Sequence, residues 1–432
     1  MGQEGVQVVG VGEGDGQLAG GGALDLAFSF EDQGHLQGFA VDGHLVGDGE
    51  DAVHDLLIED AHAPCYIGGM ELEPATDLFL SLTPEKVLAA VEAAGLRCNP
   101  VCYPLNSFEN RVYEVELEDR TRIVAKFYRP GRWSEEQILE EHQFLHELDE
   151  DEVPVCPVRP FPDGSTLRRI DHIYYSLSDR SGGRAPDELD GTAAWRLGML
   201  VGRLHNVAAR RPAEHRLRLT PDRFIREDVA WLDEHATLPP HLRRRYFDAA
   251  LAIADQLDGA LAALATLDPG QIHRLHGDLH LGNVLLRDGL LRVLDFDDMV
   301  MGPAVQDLWL ALPGRDSWAL ALRERFLEGY EQFRTFDRST LRLIEPLRGL
   351  RVIHYAAWLA RRWHDPAFPA AWPHFGTLDY WQRETDDLEE QLALVRGELA
   401  PPAGSPGDGD GEERPPEEAT LTNRDFFWDW EG

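Results

Sequence analysis

From Thr83 onward, apolar positions recur at helical spacing. Val87, Leu88 and Val91 share one side, Thr83 can cap the helix, Pro84 fits its first position and Gly95 can end it. The period then shortens. Residues 111–117, 122–128 and 170–177 are β-rich runs, the first two divided by the polar Glu118-Asp119-Arg120 turn, and predict one antiparallel sheet. Between the second and third runs, Ile138, Leu139, Phe144, Leu145 and Leu148 mark an amphipathic helix over 135–148, expected to pack on that sheet. The first lobe is therefore predicted as strand, strand, helix, strand.

Beyond Thr192 the pattern is helical over 193–208, 242–267, 317–333, 339–363 and 380–399. One interruption breaks it at 283–295, where Val284-Leu285-Leu286 and residues 291–294 flank an Asp288-Gly289 hairpin turn. The expected class is α+β and two-lobed, with a small antiparallel-sheet N-lobe over 70–178 and a mainly helical C-lobe over 179–399.

Composition changes the picture only at the ends. The chain of 432 residues carries a formal charge of −36, and residues 1–69 hold 13 acids, 16 of the 40 glycines and no Lys or Arg. That segment shows no sustained apolar period and is expected to be disordered, or to lie upstream of a natural start at Met70. Residues 400–432, rich in Pro, Gly and acid, are expected to be a flexible tail. The acidic balance disfavours nucleic acid and anionic membranes as partners. No apolar run reaches the roughly 18 residues a spanning helix needs. Cys65, Cys98, Cys102 and Cys156 form neither a disulfide framework nor a zinc pattern, so reduced thiols are expected. With no basic n-region and no spanning run a cytoplasmic address is expected, and a monomer is expected as well.

Polar groups crowd both ends of the apolar hairpin: residues 276–283 read His-Gly-Asp-Leu-His-Leu-Gly-Asn, and 295–298 read Asp-Phe-Asp-Asp. Phosphoryl transfer needs a carboxylate for the acceptor hydroxyl's proton and hard oxygen ligands that hold Mg2+ on the phosphates of ATP. Asp278 suits the first role, Asn283 and Asp295 the second. An Asp, an Asn five residues on, a hairpin and then Asp-Phe follow the order of a kinase catalytic loop. Taken alone, such an Asp is more often a cap or loop brace; the ordering is what favours catalysis.

The strand Ile123-Val124-Ala125-Lys126 echoes the Val-Ala-Ile-Lys strand of protein kinases, and Lys126 is one of two lysines beside 39 arginines. An exposed strand lysine is the blander reading. Its expected partner is Glu141, in better register than Glu140, which stays open. Over the phosphates, residues 104–111 contain no glycine, leaving Ser107 and nearby backbone amides to contact ATP. His276 is expected to brace the catalytic loop, and His205 and His280 to pack rather than bind metal.

These motifs resemble the aminoglycoside phosphotransferase-like branch of the kinase superfamily, in which His-Gly-Asp-x-His-x-x-Asn and a later Asp-x-Asp are the catalytic and metal motifs. The likeness runs from about residue 82 to 399 and includes 105–113, 126–130, 138–144 and 302–309. It implies a protein-kinase-like fold and a cytoplasmic Ser/Thr protein kinase using ATP and Mg2+ in stress protection, with catalytic Asp278 and Asp295. Asp295-Phe296-Asp297 lacks the usual glycine, and 11 residues between Asp295 and Asp307 are too few for a phosphorylatable activation segment.

Three alternatives use the same residues. A small-molecule kinase for an amino alcohol, sugar or aminoglycoside would share Asp278, Asn283 and Asp295, and an acidic pocket would favour a cationic acceptor. A metal-dependent hydrolase could draw on His276, Asp278, His280, Asp295 and Asp297, but leaves Lys126 and Glu141 unexplained. A nucleotide-binding scaffold without turnover has no need of the base.

Overall fold

The computed structural model describes residues 78–399 apart from 106, 236 and 268. The expectations for residues 1–69, for a start at Met70, for Cys65 and for the tail from 400 lie outside the described residues. Cys98, Cys102 and Cys156 are free thiols. Among the described residues no helix is long and apolar enough to cross a membrane.

The fold is α+β and two-lobed. Helix α1 (Pro84–Glu92) opens at Thr83, whose hydroxyl accepts from Lys86 N, and buries Val87, Ala90 and Val91. It packs on a five-stranded antiparallel sheet formed by β1 (Cys98–Leu105), β2 (Arg111–Leu117), β3 (Arg122–Phe127), β4 (Arg168–Ile170) and β5 (Ile173–Asp179), ordered β1-β2-β3-β5-β4. Alternation on β3 sends Ile123, Ala125 and Phe127 into the core shared with α1, so Lys126 points to the opposite face.

The first lobe thus has two more strands than expected. Strand β1 carries Pro100 and Pro104, which suppress a strand reading yet are tolerated because β1 is an edge. The single run 170–177 is instead the β4–β5 hairpin, because Asp171 and His172 turn the chain at φ of 45° and 70°.

Helix α2 (Glu135–Glu150), between β3 and β4, starts with a Ser134–Gln137 capping box. Phe144, Leu145 and Leu148 enter the core of the helical body rather than that of the sheet, so α2 bridges the lobes instead of simply covering the sheet.

The helical body contains α3 (Gly191–Ala208), α4 (Glu227–Glu234) and α5 (Pro240–Leu267). After the segment 272–303 come α6 (Val305–Ala311), α7 (Ser317–Tyr330), α8 (Ile344–Arg362), α9 (Ala367–Ala371) and α10 (Leu378–Val395). The helix expected over 339–363 is divided, with a 3-10 stretch at Arg338–Leu343 leading into α8. Two short ribbons lie within this body. Strand β6 (Ile272–Leu275) pairs with β9 (Val300–Pro303), and the predicted hairpin is β7 (Val284–Arg287) with β8 (Leu290–Val293), turning at Asp288 and Gly289 with φ of 52° and 77°.

Candidate active site

The loop between β6 and β7 is held by its own backbone. Asp307 on α6 accepts from His276 N through Oδ2 and from Gly277 N through Oδ1, both at 2.9 Å, and His205 Nε2 lies 3.0 Å from the same carboxylate. All three side chains of this support are buried. Burial raises the Asp307 carboxyl, but the His205 hydrogen bond overrides it and lowers it. Gly277 has φ of +88°, and a Cβ there would lie 2.1 Å from Asp298 O, so the turn needs glycine on both counts.

His276 braces this loop as expected. Its Nε2 meets Leu294 O at 2.8 Å, and its Nδ1 accepts from Asp278 N at 3.2 Å. Both ring nitrogens are engaged, which removes His276 from the hydrolase ligand set. No group of three or more metal-binding side chains is assembled among the described residues.

Asp278 and Asn283 are brought together: Asn283 Nδ2 donates to Asp278 O at 2.9 Å. Asn283 O accepts from Leu294 N at 3.0 Å, tying the loop to the residue before Asp295. Arg351 of α8 reaches in from elsewhere, with Nη1 2.7 Å from Asp278 Oδ1, and His280 Nε2 lies 3.5 Å from Oδ2. Burial pushes the Asp278 carboxyl up, but Arg351 and then His280 hold it well below the usual carboxylate range.

Lys126, Glu141 and Asp295 form the other half of the site. Lys126 Nζ lies 3.0 Å from Asp295 Oδ1, 3.1 Å from Asp297 Oδ1 and 3.5 Å from Glu141 Oε1. Burial lowers the Lys126 ammonium, but Asp295, Asp297 and Glu141 raise it further, keeping it charged. Glu140 is excluded as the partner because it accepts from the backbone of Glu214, His215 and Arg216. Glu141 is shared with Arg216, whose Nη2 lies 2.8 Å from Oε2, and burial pushes its carboxyl up against both cations. Asp295 sits in the left-handed region at φ 57°, and its half-exposed carboxylate opens to the cleft.

Asp298 links the two halves electrostatically. Burial raises its carboxyl, its partner Arg132 lowers it, and Asp278, Asp297 and Asp295 all push it up again. Ser107 lies half-buried in the β1–β2 connection and, among the described residues, makes no hydrogen bond to Lys126, Glu141, Asp278, Asn283 or Asp295. Its neighbours fasten that connection to the helical body. The Phe108 ring packs 4.6 Å from Trp372, and Glu109 accepts from Trp358 Nε1 and Arg362 Nη2, each at 2.7 Å.

Arg351, Arg216, Asp307 and Glu109 were not singled out for these roles from sequence. Arg351 follows Asp278 by more than seventy residues in a helix dense in arginine, and no local spacing marks it.

Residues 102–344 match the model of the phosphotransferase enzyme family. The chain belongs to that family. Stress response kinase A of Salmonella paratyphi A is 41% identical over 319 residues, covering 73% of this chain and 94% of that protein. A serine/threonine protein kinase, RdoA, of Salmonella typhimurium is 40% identical over the same share of each. Among solved structures, amicoumacin kinase hAmiN with AMP-PNP and Ca2+ has a TM-score of 0.55 at 20% identity, covering 70% of this chain and 92% of that one. This family member is an ATP-dependent kinase with the expected fold.

Proposed function

We propose that the chain is a Mg2+-dependent Ser/Thr protein kinase of the stress response kinase A type, moving the γ-phosphate of ATP to a protein hydroxyl. The observation that carries this reading is the convergence of Lys126, from the sheet lobe, on Asp295, beside a loop that presents Asp278 and Asn283. Lys126, kept in register by Glu141, neutralises ATP phosphates, and Ser107 lies in the connection that would cover them.

The donor set fits Mg2+. Asp295 offers a half-exposed carboxylate, and Asn283, whose amide nitrogen donates to Asp278 O, keeps its amide oxygen for a ligand. Bound there, the metal would neutralise charge on the phosphates.

Asp278 orients the acceptor hydroxyl and takes its proton as the new P–O bond forms. A strongly basic carboxylate is not required, because in a loose transition state the proton leaves late, which agrees with an Asp278 held ionised by Arg351. Protein as acceptor and stress protection follow the names of the relatives above; a cytoplasmic address and a monomeric state complete the same proposal. The lobe limits 70–178 and 179–399 belong to the same reading.

The test is incubation with Mg2+ and γ-labelled ATP, with and without casein, beside Asp278→Asn. Label on protein that is lost by about 10²- to 10⁴-fold in the variant, with ATP still bound, is the expected result. Unchanged labelling would remove Asp278 as the base. Variant-sensitive ADP release only with small alcohols would replace the protein acceptor by a small molecule.

A further inference from the structure

The acceptor's charge can be argued from helix α8, which faces the catalytic loop. Arg351, His354, Tyr355, Trp358 and Arg361 recur there at intervals of three or four residues, so they share one side of the helix. Between the first and last of them the helix has no acidic residue, in a chain whose formal charge is −36.

The carboxylates on this side lie deeper than the cations. Arg351 Nη1 is 2.7 Å from Asp278 Oδ1, with side-chain exposures of 26% and 19%. One turn further along, His354 Nδ1 and Arg361 Nη1 share Asp228 at 2.7 and 2.6 Å; the cations are 39% and 29% exposed and the carboxylate only 2%. Solvent therefore meets guanidinium and imidazole at the rim, with the acids beneath. Aromatic rings frame them: Phe224 lies 5.0 Å from the His354 ring, and the Arg361 guanidinium lies 5.1 Å from the centre of Trp231. The half-exposed acids of the site, Asp298 and Asp295, are paired with Arg132 and Lys126.

We propose that the acceptor hydroxyl is selected for negative charge beside it, with Arg351 and Arg361 as the specificity-determining residues. The favoured acceptor is a Ser or Thr segment flanked by Asp or Glu. A guanidinium at the rim can form charge-assisted pairs with incoming carboxylates, whereas the amines of an aminoglycoside or amino alcohol would approach two arginines. This inference rests on the kinase reading above and gives it a substrate class.

The experiment compares two serine peptides of equal length, one flanked by Asp and Glu and the other by Lys and Arg at the same positions, with kanamycin as a polycationic alcohol. Using the full chain with Mg2+ and ATP, kcat/KM is expected to be about tenfold or more higher for the acidic peptide. Arg361→Gln, which leaves His354 on Asp228, should raise KM for the acidic peptide and compress that ratio. With unaltered protein, rising ionic strength should raise KM for the acidic peptide more than for the basic one, independently of how the variant folds. Equal use of both peptides, or preference for the basic peptide, would overturn the inference while leaving the kinase reading standing; preference for kanamycin would overturn the inference and replace the protein acceptor of that reading by a small molecule. Transfer to no hydroxyl acceptor, with ATP still bound, would overturn the kinase reading and the inference with it.

Discussion

Lys126 Nζ lies 3.0 Å from Asp295 Oδ1, joining positions 169 residues apart across the two lobes. The same ammonium is 3.1 Å from Asp297 and 3.5 Å from Glu141, so one cation touches three carboxylates, two of which also meet Arg132 or Arg216. A triphosphate brought into the cleft must compete with them.

Lys126→Met would leave the buried Glu141 and Asp297 short of a cation. Breaking a buried pair from one side costs about 3 kcal/mol, and loss of the phosphate cation should lower turnover by about 10²-fold or more. Urea unfolding and kcat measured together check this; a variant as stable as the parent would show that Arg216 and Arg132 suffice.

Glu109 ties the β1–β2 connection to α8. Burial raises its carboxyl, but Arg132, Arg362 and Arg129 override that and bring it down to about 2. Because the folded value is depressed, its contribution is full above the ordinary value of 4.5 and is lost as pH falls from there towards 2. Glu109→Gln should destabilise by on the order of 3 kcal/mol at pH 7, with the gap to the parent narrowing below pH 4.5 and nearly closed at about pH 2. A gap independent of pH would count against the charge.

His142 gives a second acid-side effect. Buried and bonded to Tyr128 and Thr166, it is held neutral, with burial first and Lys126 second lowering it to about 3. The unfolded chain takes up a proton near pH 6.5 and the folded chain does not, so stability falls as pH drops from 6.5 towards 3 with a slope of about one proton. His142→Gln should flatten that slope in chemical unfolding at stepped pH. An unchanged slope would assign the proton elsewhere.

Gly277→Ala should disrupt the catalytic loop, since its Cβ would meet Asp298 O at 2.1 Å in a backbone conformation that L residues rarely adopt. Loss of turnover with a lower melting midpoint is expected; a fully active Ala variant would contradict the observed turn.

Much of this architecture was legible because its signals are local. The β7–β8 hairpin follows from Asp288-Gly289 between two apolar runs, and the Asp278, Asn283 and Asp295 set from spacing within eighteen residues. Strand β3 was marked by its β-branched residues and by the run Ile123-Val124-Ala125-Lys126. The edge strand β1 was hidden by its prolines, and the β4–β5 turn by Asp171-His172, a pair without the glycine that normally announces positive φ.

The sequence by itself determined the lobe order, the β7–β8 hairpin and which residues are candidates for the chemistry, because motif order and turn chemistry are written in neighbouring positions. Only the tertiary structure decided what surrounds them. Arg351 on Asp278, Arg216 beside Lys126 on Glu141, and Asp307 beneath the loop are charge pairings between distant segments. Coulombic contact depends on distance in space and on burial, and neither is encoded in spacing along the chain.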